Sequence, residues 1–498
     1  MCGIWFSNIH TSTETHHKHR GPDSSVVIYK DGSTFAFDRL AINGLGKDGE
    51  QPFVDDDIVV MCNGEIYNHN ELRSIVNNKP KGSSDCEIIS KLLAEYQPEE
   101  AIQLLDGVFA IVATVSGSVI AARDPIGVRP LFYGYDKDDN VFFSSEMKGL
   151  LDYCKEIKDF PPGHVMIDGV LTSKFYGTYT PFCRPTLQNM LVASVKKRLM
   201  TDRPVGFFLS GGLDSSLICA IGAKLIDGPI NTFSIGIGDS PDLECAKKVS
   251  EFIGSNHTEI RFTVEEGLDA MKKVIWALET YDCTTIRASV PMFLMSKYVS
   301  QNTDIKVILS GEGADELFGG YLYFHYAKSP GDFQNETQNL LNNVHMHDVR
   351  RADRCTAAHG LELRVPFFDQ ALMKYVSSIN PRLKMPSGKM EKAILRSSFE
   401  GWLPNEILWR QKNGMSDAVG YSWVDATRMV CDELELPDTL YLRNPPKSKE
   451  ELFYRHLYCQ MFGKHDTLEH VWRPKWTNQT DPSAAKLDVF KRDPEPSQ

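Results

Sequence analysis

Ser210-Gly-Gly-Leu-Asp-Ser-Ser216 decides how the second half of this chain folds. It follows Val205-Gly-Phe-Phe-Leu209, an apolar run of strand length, and opens Leu213–Leu225, whose apolar residues recur at helical spacing. Strand, tight loop and helix is the local reading. Gly211 and Gly212 allow the backbone to approach a ligand, the hydroxyls of Ser210, Ser215 and Ser216 add donors, and the N–H groups opening the helix favour an anion such as phosphate. Asp214 repels a phosphate directly but accommodates one across a shared Mg²⁺. A plain Gly-Ser turn is the competing reading of these seven residues.

A second stretch of the same kind tips the balance. After the apolar run Ile305-Lys-Val-Ile-Leu309 comes Ser310-Gly-Glu-Gly-Ala-Asp-Glu-Leu-Phe-Gly-Gly-Tyr321. Two Gly-rich acidic loops at two strand ends imply one cleft, in which Asp315 shares the metal with Asp214. Between them, strand-like Ile230–Ile235, helical Pro241–Ile253, strand-like His257–Phe262 and helical segments through Val299 alternate as in a doubly wound α/β domain with a mostly parallel sheet. The Walker lysine is missing, which excludes a P-loop enzyme. The loop resembles instead the pyrophosphate loop of ATP-pyrophosphatase domains.

With 498 residues, 42% hydrophobic and 24% charged, the chain has the material for two to four soluble domains. A net charge of −12 argues against nucleic-acid binding as the main role. Eleven scattered cysteines without a CxxC pair fit reduced thiols rather than disulfides or a zinc site. No window of eighteen apolar residues is present and Met1–His10 does not read as a signal peptide, so a cytoplasmic protein without membrane contact is expected.

Met1-Cys2-Gly3-Ile4 holds a second chemical centre. Once Met1 is removed, Cys2 carries an α-amino group with an ordinary pKa of roughly 7.7–8.0, so a base sits beside a thiol on one residue. Arg20-Gly-Pro-Asp23 reads as a turn with a charged rim, Arg39-Leu-Ala-Ile-Asn43 follows strand-like Phe35–Phe37, and Asn63-Gly-Glu-Ile-Tyr-Asn68 follows the apolar run Ile58–Met61. These supply what a glutamine pocket requires. Arg39 can fork onto an α-carboxylate, the Glu65 backbone and Asp85 can meet an α-ammonium, and Asn63 with the Gly64 N–H can face an oxyanion. Val108–Val115 and Val119–Arg123 read as a hairpin, with another strand near Val141–Ser145, which makes this half antiparallel-rich. The cluster His16-His17-Lys18-His19 reads as a solvated loop without a carboxylate or cysteine to complete a metal site.

Cys2-Gly-Ile, Arg20-Gly-Pro-Asp, Asn63-Gly-Glu-Ile-Tyr-Asn and Gly82-Ser-Ser-Asp85 resemble the amidohydrolase half of class II glutamine amidotransferases. Joined in order to the Ser210 and Ser310 loops, they make nearly the whole chain similar to the glutamine-hydrolysing asparagine synthetases. The resemblance implies a glutaminase domain over residues 2–180, with the four-layer sandwich of N-terminal-nucleophile hydrolases. It further implies an ATP-pyrophosphatase synthetase domain over 186–477, with a boundary near Thr178–Pro185 and a polar, disordered tail over 478–498. Two centres then serve two half-reactions, glutamine hydrolysis at Cys2 and adenylation of aspartate by ATP with Mg²⁺. Asn43 joins the glutamine pocket; Leu209, Ile235, Ser310 and Gly311 match positions that hold the adenosine part of ATP; Thr284 and Arg287 match an aspartate pocket. Glu312 matches the glutamate that governs formation of the β-aspartyl-adenylate, and Lys412 the lysine that reaches the α-phosphate and the leaving pyrophosphate. Three features depart from the family pattern: the short segment before Arg20, Asn413-Gly-Met415, and Ala418 in place of the usual glycine. Beyond about Gln334 the pattern is helical, including Ala352–Gly360 and Met390–Trp402. Glutamine, aspartate and ATP are the expected partners, a homodimer is compatible with the family, and a largely apolar passage is expected to carry ammonia between the centres.

Overall fold

The computed structural model describes residues 1–172, 174, 186–238, 240–386, 390–411, 421–437 and 439–477. Lys412, Asn413, Gly414, Met415 and Ala418, the expected boundary segment and the tail beyond 477 lie outside the described residues.

The N-terminal half is built of strands β1 (Gly3–Ser7), β2 (Ser24–Lys30), β3 (Ser33–Arg39), β4 (Phe53–Asp55), β5 (Ile58–Ile66), β6 (Gly107–Val115), β7 (Ser118–Arg123), β8 (Phe132–Tyr135), β9 (Val141–Ser144), β10 (Glu156–Asp159), β11 (Val165–Ile167) and β12 (Val170–Leu171). They form two antiparallel sheets, ordered β10-β8-β9-β1-β3-β2 and β12-β11-β7-β6-β5-β4. Ile4 and Phe6 of β1, Phe35 and Phe37 of β3, Val59 and Met61 of β5, and Ala110 and Val112 of β6 point into one core between the sheets, as period-two alternation requires. The opposite face of the second sheet packs Val60, Cys62, Phe109 and Ile111 under the helix Ile88–Glu95 and its neighbours. The outer face of the first sheet, with Trp5, Ala36 and Phe142, joins a core that continues through Met147 and Leu150 into the C-terminal half. That continuity fixes how the two halves meet.

The C-terminal half carries β13 (Val205–Phe208), β14 (Asn231–Gly236), β15 (Asn256–Arg261), β16 (Val307–Leu309) and β17 (Glu362–Arg364). All pair in parallel, in the order β15-β14-β13-β16-β17. The order reverses between β13 and β16, so the loops after these two adjacent strands open the crevice that doubly wound sheets use for ligands. Leu213–Leu225 and Pro241–Ile253 are helices to the residue; the second is closed by Gly254 at φ +68.

Several local expectations change. β5 runs on through Asn63, Gly64, Glu65 and Ile66, because it is paired along its whole length with β6. The helix expected over 352–360 spans Asp348–Ala357, and within 390–402 helix covers only Ala393–Ser398. Arg20 is no rim residue: it is fully buried and shared by Glu146 and Asp353. His17 is 1% exposed rather than solvated, since Gly3 of β1 leaves the space that its side chain fills; a Cβ on Gly3 would lie 2.1 Å from His17 Cβ. No group of three or more metal-ligating side chains occurs among the described residues.

Candidate active site

Cys2 lies just before β1, 9% exposed, with its backbone N–H donating to Asn63 Oδ1 at 2.9 Å and its carbonyl accepting from Arg20 Nε at 3.0 Å. Burial pushes its thiol up to about 11, so at neutral pH the sulfur keeps its proton and needs a base to become a nucleophile. Asn63 is fully buried, and its Nδ2 has no hydrogen-bond partner among the described residues, a donor held ready beside the thiol. Gly64 is required by packing, because a Cβ there would sit 2.2 Å from the Val108 carbonyl.

Around this pair the expected glutamine residues converge. Arg39 is held by the carbonyls of Gly46 (3.0 Å) and Gly44. Asn43 Nδ2 bridges Glu65 (2.5 Å) and Asp85 (3.4 Å), and Asp85 accepts the Ile66 N–H at 2.7 Å. Burial, and for Glu65 the neighbouring Asp85, push both carboxyls above the usual range. Two buried carboxylates side by side make a receptor for a cation the size of an ammonium.

In the C-terminal half, the Ser210 and Ser310 loops abut. A Cβ on Gly311 would meet Ser215 N at 2.6 Å, and one on Gly211, at φ +74, would meet Ala246 N at 2.6 Å, so both glycines serve close backbone approach. Ser210 Oγ and Ser215 Oγ are 2.9 Å apart, and Gly212 caps the helix that presents Asp214 and Ser215, with Ser216 buried behind. The cleft is lined by Leu209, Ser210, Gly212, Asp214 and Ser215 on one side, by Ser310, Gly311, Glu312 and Asp315 on the other, with Ile235 and Thr284 on its walls.

Three placements bear on function beyond those expectations. Lys392, 1% exposed, puts Nζ 2.6 and 2.8 Å from the two oxygens of Asp214 and 2.5 Å from Asp315 Oδ1. It does so from a left-handed backbone, φ +56, which the two ion pairs hold in place. Gly320 leaves the channel for its stem, since a Cβ would lie 1.9 Å from Lys392 Cε. Glu312 is gripped in a fork by Arg351, at 3.2 and 2.7 Å, which also bonds Asp348 at 2.7 Å. Arg287 is not among the cleft-lining residues. It forks onto Glu450 of the helix Lys449–Phe462, with Nε 2.8 Å from Oε1, leaving Thr284 and Thr285 to line the wall. A lone lysine in Met390-Glu-Lys392 carries no motif, so nothing in the sequence singled it out.

Asp214 and Asp315 offer hard oxygen donors with no third protein ligand among the described residues, as Mg²⁺ sites completed by substrate phosphates do. The residues therefore fit the ion, with Lys392 holding the two carboxylates together.

Comparison with known proteins decides the family. Residues 1–175 match the model of the glutamine amidotransferase domain, and residues 186–335 and 327–489 match that of asparagine synthase. The chain belongs to the glutamine-hydrolysing asparagine synthetases. It is 40% identical to the asparagine synthetase of Asparagus officinalis, over 94% of this chain and 87% of that one. It is 42% identical to that of Sandersonia aurantiaca, over 92% and 93%. Among the described residues no helix is long and apolar enough to cross a membrane.

Proposed function

We propose that this chain carries out its family's synthesis with the residues gathered at the two sites. The reaction is the ATP-dependent conversion of aspartate to asparagine with nitrogen from glutamine. At the first site the α-amino group of processed Cys2 takes the thiol proton while sulfur attacks the carboxamide carbon of glutamine, and Asn63 Nδ2 donates to the oxygen that becomes negative. Ammonia leaves, and water hydrolyses the thioester to glutamate. Arg39 takes the α-carboxylate; Glu65 and Asp85 take the α-ammonium.

At the second site the β-carboxylate of aspartate attacks the α-phosphorus of ATP, expelling pyrophosphate, and ammonia displaces AMP from the acyl-adenylate. Leu209 and Ile235 flank the adenosine, the Ser210–Ser216 loop and Lys392 face the β- and γ-phosphates, and Glu312, fixed by Arg351, faces the reacting carboxyl. Asp214 and Asp315 would hold Mg²⁺, which neutralises phosphate charge. Lys412, outside the described residues, is assigned to the α-phosphate by resemblance. Beside the apolar core shared by the two halves, Arg20, Arg129, Asp353, Glu362 and Arg364 form a buried ionic network.

The observation that carries this reading is Lys392 clamped between Asp214 and Asp315 at the switch point of the sheet, a paired-charge cradle suited to polyphosphate. Its test is stoichiometry. With glutamine, aspartate, ATP and Mg²⁺, AMP, pyrophosphate, asparagine and glutamate are expected to form together, and glutamate offered as acceptor is expected to yield no amide. ADP in place of AMP refutes it.

A further inference from the structure

The side chain of Arg364 belongs to one half of the molecule by sequence and to the other by contact. It lies at the end of β17 in the synthetase sheet, fully buried, and its carbonyl accepts the N–H of Ser310 at 3.0 Å, at the root of the ATP loop. Its Nε donates to Glu362 at 2.8 Å, and Nη1 bonds the Arg198 carbonyl at 2.8 Å. Its Nη2 reaches across to Glu65 Oε2 at 3.3 Å, a charge contact rather than an aligned hydrogen bond, so this buried N–H still has an acceptor to gain.

We propose that Arg364 is a positioning residue of the glutamine pocket, supplied by the synthetase half, which holds the Glu65 carboxylate for the α-ammonium of glutamine. The inference rests on the assignment of that pocket to glutamine. Glu65 faces Asp85 and Glu362, both acidic, and Arg364 and Arg129, both cationic. Asp85 and burial favour the protonated, uncharged carboxyl, while Arg364 stands closest of the cations and opposes this. A protonated Glu65 cannot pair with an ammonium. Removing Arg364 therefore drives Glu65 further towards the uncharged form, and the effect deepens as pH falls.

The test uses the full chain. Arg364→Met is expected to raise the glutamine KM about tenfold at neutral pH, with a steeper rise towards about pH 6 than in the unaltered enzyme. Glutaminase kcat at saturation and asparagine synthesis from free ammonia are expected to stay within about threefold, and Arg364→Lys is expected to recover most of the KM. An unchanged KM, or equal loss with glutamine and with ammonia, overturns the proposal, the latter showing a merely structural bridge. If Arg364→Met does not fold, Glu65→Gln is combined in a cycle with Arg364→Gln, which removes the charge but keeps N–H donors: non-additive effects on KM support the contact and additive ones refute it. Failure of the unaltered enzyme to hydrolyse glutamine would instead refute the pocket's assignment.

Discussion

Replacing Lys392 with Met tests the cradle at its centre. The substitution keeps most of the side-chain volume and removes one charge that two carboxylates share. Taking one partner from a buried ionic group typically costs about 3–5 kcal/mol. Asp214 and Asp315 retain 13% and 15% of their side-chain exposure, which places the expected loss near the lower end, about 3 kcal/mol. A cation binding the folded state alone restores RT ln(1 + [L]/Kd), about 2.7 kcal/mol at a hundredfold excess over Kd, so Mg²⁺ is expected to return most of the loss. Denaturant unfolding of both proteins with and without MgCl2 reads this, followed through a probe in the C-terminal half because the chain has two halves. Pyrophosphate release is expected to fall by about two orders of magnitude while glutaminase persists. A stability loss below about 1 kcal/mol, or the same Mg²⁺ response in both proteins, would refute the shared-charge argument.

Cys2→Ala is expected to abolish glutamine hydrolysis while asparagine is still formed from ammonium salts; loss of both in a folded protein would contradict two separable centres. Lys412→Ala is expected to lose adenylation and keep glutaminase, measured by AMP and glutamate release, and near-normal synthesis would remove the role assigned by resemblance. Arg287→Met separates two readings: the buried pair with Glu450 predicts a loss of about 3–5 kcal/mol in unfolding free energy, whereas an aspartate-gripping role predicts a raised aspartate KM at unchanged stability. In the glutaminase reaction, the raised thiol pKa means the proton must go to the α-amino group, so activity is expected to rise as pH increases through the range near 8 where that amine loses its proton.

The parts of this architecture written in local sequence were readable there. Helix Leu213–Leu225 announces itself by apolar residues at helical spacing, and helix Pro241–Ile253 by its place between two strand-like runs; the Ser240 cap and Gly254 that bound the second are seen in the structure. The two loops bearing Asp214 and Asp315 stand at strand ends because each follows an apolar run, and parallel alternation then forces them together. What could not be read depends on partners far along the chain. Lys392 meets Asp214 across 178 residues, Arg287 meets Glu450 across 163, and Arg364 meets Glu65 from a different sheet. Arg20 and His17 look like solvated charge in isolation, yet the meeting of the two halves buries the first and a glycine in β1 makes room for the second.

The most direct test of the whole account follows atoms. Glutamine labelled with ¹⁵N in its amide and aspartate labelled with ¹⁸O in its β-carboxylate are supplied together with ATP and Mg²⁺. The account requires ¹⁵N in the asparagine side chain and one ¹⁸O in AMP, with none in pyrophosphate. Label in pyrophosphate or orthophosphate, or unlabelled asparagine from labelled glutamine in ammonia-free buffer, would contradict it.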